Sequence, residues 1–382
     1  MKQNLKQKLY GDGIHDDAPA IQELLDSGKN IIYLPNPKKH YTISQTLYIN
    51  SNQTLVLPEK ARIRLSDNAN VPLLRNRNGE TGDRNIAVIG GIWDINNMGQ
   101  KGNICVKRQE FEGESIYTNP PDYAGTCTEE GNFRNTFPND HLFGMVLENI
   151  KGLALLNITF ADPVTYCVAM GRCSDFQIKN ITFDFNDGNP LPANMDGIHL
   201  EGGCHDGEIC HLRGTVYDDM VALNADELLR GNIYNIVIDD LYARHAHSAV
   251  RLLSSGHTVR NISISNVRGS YFTYCIGFTK YFKMGNGVAG KFEDITIKDC
   301  EFTKSDILPW FRDIDYPLFY FQTETEVSNL KLQNIHRTPC GRMTDLFGVE
   351  DGAEIYNLTL ENVRGDMSLD AENIENFIKL AK

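Results

Sequence analysis

A short pattern, apolar-x-apolar-x-Asn/Asp/His-apolar, recurs from the middle of this 382-residue chain almost to its end. It occupies 153–158, 176–181, 236–241, 262–267, 295–300, 330–335 and 358–363, with a shortened copy at 209–212. The polar position falls on Asn157, Asn180, His211, Asp240, Asn266, Asp299, Asn334 and Asn362. Successive copies therefore lie between 23 residues (157 to 180) and 35 residues (299 to 334) apart. Alternation of period two specifies strands rather than helices. An irregular period of this length specifies coils of short strands with loops inserted on one side. The expected fold is all-β, a single-stranded right-handed parallel β-helix. A leucine-rich solenoid has a similar period, but its leucine skeleton and helical half are missing here.

Solenoids outgrow ordinary domains because each coil buries itself against its neighbours, so residues 1–382 are expected to form one domain. The segment 1–30 reads as an N-terminal cap: Gly11-Asp12-Gly13 leads to Asp17, a candidate N-cap, and then to the amphipathic stretch Ala18–Leu25. A short helix there would cover the open first coil. Residues 367–382 read as a C-terminal cap, with a closing helix over Ala371–Leu380. Gly99–Phe143, rich in Gly, Asn, Pro and Tyr, breaks the repeat and is too long for a turn, which suits a wall over a binding groove. The recurring Asn suits a bend, its amide bonding backbone groups left unpaired there. On that reading the sequons at Asn157 and Asn180 are by-products of the repeat.

Against this background three aspartates stand out. Asp196 lies in Asn194-Met195-Asp196-Gly197-Ile198-His199, and the pair Asp218-Asp219 precedes Met220-Val221-Ala222. Asp196 and Asp219 are 23 residues apart, about one coil, and stacked strands lie ~4.8 Å apart, which would gather all three carboxylates. Crowded carboxylates raise one another's pKa, as acid/base chemistry on a sugar chain requires. If Ile198, Val221 and Val250 point inward, His199, Ala222 and Arg251 form an outward column. Ser248 then stacks on Asp219 and His247 on Asp218. His199 and Glu201 share the outward face and could bind sugar hydroxyls.

These segments resemble the polygalacturonase-type glycoside hydrolases, family 28, which carry Asn-Thr-Asp, Gly-Asp-Asp, Gly-His-Gly and Arg-Ile-Lys in that order. The counterparts are Asn194-Met195-Asp196, Tyr217-Asp218-Asp219, Ala246-His247-Ser248 and Phe278-Thr279-Lys280. The resemblance implies a β-helix and inverting hydrolysis, with Asp218 as general acid and Asp196 and Asp219 holding and deprotonating the water. Inverting enzymes keep acid and base roughly 6.5–9.5 Å apart to admit that water. It also implies a uronide, pectin-like substrate, whose carboxylate the family binds through the fourth motif. Here Phe278 replaces the arginine of that motif, leaving Lys280, with Arg251 as a candidate replacement through its bidentate fork.

Two other readings use the same solenoid: a calcium-dependent polysaccharide lyase with Arg251 or Lys280 as base, and a non-catalytic carbohydrate-binding β-helix of the adhesin or tailspike kind. No cofactor or metal is expected, since Cys167, Cys173, Cys204 and Cys210 match no zinc spacing and suit core packing. A net charge of −13 without basic runs argues against nucleic acid, and no apolar run is long enough to span a membrane. The carbohydrate substrate is the partner expected. The chain opens Met1-Lys2-Gln3-Asn4 with no apolar leader, so a cytoplasmic location is expected, or a secreted or periplasmic one if a leader was removed.

Overall fold

The computed structural model describes residues 7–100, 144–185, 195–227, 229–280, 287–306, 316–339, 345–364 and 374–380. The chain has the expected all-β architecture, a right-handed parallel β-helix. It divides into two compact units, Met1–Met195 and Asp196–Lys382. In the first, the strands Ile31–Tyr33, Thr54–Val56, Asp83–Ile89, Ile150–Ala161 and Ser174–Asp184 pair in parallel, in that order. A second ladder runs through Leu47–Ile49, Leu74–Asn76, Met145–Glu148 and Val168–Gly171.

The second unit repeats this plan. Its long strands are His205–Gly214, Ile233–Ala246, Thr258–Tyr271, Gly290–Lys304, Thr325–Arg337 and Glu354–Arg364. Its short strands are Ile198–Glu201, Asp219–Asn224, Ser248–Leu253, Ile276–Thr279, Phe319–Phe321 and Phe347–Val349. Register follows from the apolar pattern. Ile236, Ile262, Ile295, Leu330 and Leu358 stack in one column, and Ile238, Ile264, Ile297, Leu332 and Leu360 in another. All ten are buried, each contributing roughly 1.5–3 kcal/mol. A slip of one residue would turn both columns outward.

Each copy of the repeat bends at its polar residue. Asn157, Asn180, His211, Asp240, Asn266, Asp299, Asn334 and Asn362 all have φ between 51° and 59°. That left-handed region is open to Asn, Asp and Gly and costly for most other residues. Five residues earlier lies a second bend of the same kind, at Asp175, Asp206, Asn235, Asn261, Asp294, Asn329 and Asn357, with φ between 53° and 58°. The amides, expected to serve the backbone, bond one another instead. Asn180 Nδ2 donates to Asn157 Oδ1 (2.9 Å), Asn334 to Asp299 (2.7 Å) and Asn362 to Asn334 (2.9 Å). The other bend does the same: Asn261 to Asn235 (2.7 Å), Asn329 to Asp294 (2.8 Å) and Asn357 to Asn329 (2.9 Å). Bends stacked at strand spacing put each amide within reach of the oxygen one coil away.

Two cap expectations need correcting. The helix Ala18–Leu25 forms and buries Ala18, Ala20, Ile21, Leu24 and Leu25, but the Asp17 side chain does not cap it. Asp17 is itself buried and accepts from Tyr10 N (2.5 Å) and Gly11 N (3.1 Å), drawing the preceding segment onto the helix start. The closing helix does not form. The strands Ile374–Glu375 and Ile378–Leu380 pair with Glu354–Arg364, and Asn376 extends the amide ladder to Asn357 (3.1 Å). Of the insertion over Gly99–Phe143, the part beyond residue 100 lies outside the described residues, as does Asn194. Cys167, Cys173, Cys204 and Cys210 are buried free thiols.

Candidate active site

The short strands of the second unit carry the site. Val221 pairs with Ile198 on one side and Val250 on the other, Ala222 with His199 and Arg251, and Asp219 with Ser248. Gly197 N donates to Asp219 O (2.9 Å), bringing the backbone beside Asp196 onto that of Asp219. These pairs therefore have the register expected from the sequence.

Asp219 lies at the centre and is fully buried. Ser248 Oγ donates to its Oδ1 (2.5 Å), and Tyr274 Oη approaches the same oxygen at 3.5 Å. Arg251 Nη1 stands 3.6 Å from Oδ2, which has no hydrogen-bond partner. His247 Nδ1 is 3.4 Å from Asp218 Oδ1 and 3.7 Å from Asp219 Oδ1, and is likewise buried without a hydrogen bond. Burial pushes the Asp219 carboxyl up, but His247, Arg251 and Ser248 outweigh it and hold the pKa at about 2. Asp219 is therefore ionised at neutral pH. Asp218 is the more accessible of the pair, its side chain 13% exposed against 1% for Asp219.

Asp196 faces a different environment. Its Oδ2 lies 2.6 Å from His199 Nδ1. Burial raises its carboxyl well above the ordinary range, and the charges of Asp218 and Asp219 add to that, against the lowering contact with His199. His199, expected on an outward face toward sugar, is itself buried, as is Glu201. His199 Nε2 stands 3.0 Å from Glu201 Oε1 and 3.4 Å from Glu227 Oε2, while Leu229 N donates to Glu201 Oε2 (3.1 Å). Burial lowers the imidazole pKa, but its three carboxylate neighbours outweigh that and raise it well above its usual value. Glu227 contacts the His199 ring and Leu229 N the Glu201 carboxylate, both just after Asn224.

The basic residues separate. Arg251 is partly exposed, and its Nε donates to Thr279 Oγ1 (3.0 Å), which aims the guanidinium at the aspartates. Lys280 is buried, and its Nζ contacts Glu324. Phe278, which replaces the motif arginine, points inward: it is fully buried and stacks on Phe321 at 4.7 Å. A charged side chain at that position would enter the core.

Sequence reasoning missed Glu227, Asn224 and an aromatic group. Tyr274 lies just before the strand Ile276–Thr279 and reaches Asp219 through its Oη, while Tyr316 and Tyr320 lie beside it, with ring centroids at 6.2 and 5.8 Å. Gly277 makes room for this packing: a Cβ there would meet the Tyr274 ring at 2.7 Å. Lys304 Nζ donates to the carbonyls of Thr273 and Tyr316, tying the aromatic segment to the coil that follows His247.

A parallel β-helix with clustered carboxylates on one ladder has the build of a carbohydrate-active hydrolase. The glycosyl hydrolases family 28 profile matches residues 123–377, well over half of the chain, and the chain belongs to that family. It is a glycosidase, and its partner is a carbohydrate substrate. No curated protein sequence matches it. Among solved structures, the Erwinia carotovora ssp. carotovora polygalacturonase is 12% identical with TM-score 0.57, covering 100% of this chain and 98% of its own. The Yersinia enterocolitica family 28 exopolygalacturonase is 15% identical with TM-score 0.55, covering 97% and 76%. The Streptococcus pneumoniae surface protein and adhesin PfbA shares the fold equally well, at 15% identity and TM-score 0.58, covering 97% and 94%. Among the described residues, no helix is long and apolar enough to cross a membrane.

Proposed function

We propose that the protein hydrolyses a uronide-containing, pectin-like poly- or oligosaccharide with inversion at the anomeric carbon. Asp218 is the general acid that protonates the leaving oxygen, with His247 orienting it across 3.4 Å. Asp219, ionised at neutral pH, takes the proton of the attacking water, which Asp196 helps to hold. The observation that carries this reading is Asp219 Oδ2, buried without a hydrogen bond and with Arg251 Nη1 3.6 Å away, while Ser248 holds Oδ1. A buried carboxylate oxygen left unsatisfied is costly, and a reacting water is the group that suits it. Arg251 supports a uronate substrate, because it is the partly exposed cation beside the acids, while Lys280 is turned to Glu324.

The test is to incubate wild type and Asp218→Asn with oligogalacturonides and with neutral oligosaccharides, in the presence of chelator. The expected result is reducing ends released from oligogalacturonides, of inverted anomeric configuration by proton NMR, in wild type alone. Unsaturated products that need calcium would replace hydrolysis by elimination. Cleavage of neutral sugars only would remove the uronide from the proposal.

A further inference from the structure

We propose that His199, Glu201, Glu227 and Asn224 form a binding site for one divalent transition-metal ion, of the manganese or zinc type, behind the aspartate cluster. The proposal holds whichever sugar the enzyme cleaves. Charge points to it first. Asp196, Glu201 and Glu227 surround the single imidazole of His199, and all four side chains are at least nine-tenths buried. Buried carboxylates persist when they are paired or coordinate a metal. The Arg251 guanidinium hydrogen-bonds Thr279 and faces Asp219. A divalent ion would match the formal charge of the two glutamates.

Geometry agrees. His199 Nε2 is 3.0 Å from Glu201 Oε1, 3.4 Å from Glu227 Oε2 and 3.2 Å from Asn224 Nδ2. Ligands bound at ~2.1 Å around one ion stand about 3.0–3.4 Å from one another in octahedral or tetrahedral arrangements. Nδ1 of the same ring is held by Asp196 at 2.6 Å. That carboxylate–imidazole contact fixes the tautomer and aims Nε2, as outer carboxylates do for metal-binding histidines.

Asn224 supplies an independent sign. It is fully buried, its Nδ2 donates to Glu227 Oε2 and stands beside His199 Nε2, and its Oδ1 has no hydrogen-bond partner. Half a turn about its last torsion exchanges Nδ2 for Oδ1, adding a neutral oxygen donor beside Nε2 and Glu227. With no cation that turn would set oxygen against carboxylate. The scaffold is rigid: His199 and Glu201 lie two residues apart on one strand, Asn224 pairs with Glu201 on the next, and Leu229 N holds the second Glu201 oxygen. One imidazole, two carboxylates and one amide oxygen suit manganese or zinc, whereas calcium takes six to eight oxygens.

Full-length protein stripped with EDTA and dialysed metal-free would be titrated separately with manganese, zinc and calcium chlorides by calorimetry, with melting temperature followed in parallel and no sugar present. The expected result is one manganese or zinc ion per chain and a higher melting temperature when it binds. Glu227→Gln should weaken binding by at least about tenfold and abolish the thermal shift, and Asp196→Asn should weaken it about 10–100-fold. Asn224→Ala removes only a neutral donor and should also weaken uptake, which covers the case in which Glu227→Gln fails to fold. Folded wild type that takes up neither ion, uptake unchanged in Glu227→Gln, or calcium bound as tightly as manganese would each overturn the proposal. Because no substrate enters the measurement, its failure is distinct from failure of the hydrolase reading.

Discussion

Two sets of polar side chains run along this solenoid, and they are built on opposite terms. At the bends, like stacks on like: Asn362 donates to Asn334 and Asn334 to Asp299, one coil after another. At the site, unlike stacks on unlike: Asp219 lies under Ser248, and Ala222 under Arg251. The ladder residues are exposed and their amides satisfied, whereas Asp219 Oδ2 and His247 Nδ1 are buried without a hydrogen bond. Both columns obey the same register. The difference teaches that repetition supplies the frame, and departure from repetition at the same spacing concentrates unsatisfied polarity where chemistry needs it.

One substitution made in both columns gives the sharpest contrast. Asp218→Asn should lower kcat about 10²–10⁴-fold in a reducing-end assay, the usual worth of a general acid. Asp299→Asn keeps the Oδ1 that accepts from Asn334, and should leave the rate within about twofold of wild type. Equal losses in the two variants would erase the distinction. Next in size, Gly277→Val should cost about 1–3 kcal/mol in urea unfolding through overpacking against Tyr274. An unchanged midpoint would mean that the aromatic packing does not depend on the small residue.

Acid should also separate the columns. The Asp219 pKa is depressed in the folded state, so its contribution is present above the unfolded value of 3.8 and lost as pH falls toward about 2. Asp219→Asn should therefore be less stable than wild type at pH 5, on the order of 2 kcal/mol, with the gap closing by pH 2. A gap of the same size at both pH values would contradict the ionised carboxylate. The smallest effect belongs to the ladder, whose amides do not titrate. Asn362→Ala, which loses an amide-to-amide bond, should cost ~1 kcal/mol at either pH, and Asn362→Gly less, because glycine takes the left-handed bend freely.

Most of the frame was legible because period-two alternation and a polar residue every coil reflect what stacking demands. The second bend was readable in principle, five residues before the first, but Gly152 stands in place of an amide in one coil and interrupts the pattern. The closing segment misled through the helical spacing of Ile374, Phe377 and Ile378; pairing with the preceding coil decided its conformation. At the site, the register brought Asp196, Asp219, Ser248 and Arg251 together, whereas Tyr274 lies outside the paired strands. Glu227 carried no such signal. It lies in the turn after Asn224, outside any period, and only the folded turn brings it to His199.

The bends also bear on how such a chain can change length. An asparagine at one corner asks of the next coil only that it offer an oxygen at the same height, and any other copy of the repeat does so. Removal of a whole coil between Asp299 and Asn362 would let the remaining amides rejoin, as Asn362 finds in Asn334 what Asn334 finds in Asp299. Removal of the coil between Asp196 and Asp219 would leave no equivalent partner. Gain and loss of coils should therefore be tolerated among the stacked amides, while the stretch from Asp196 to Thr279 keeps its count.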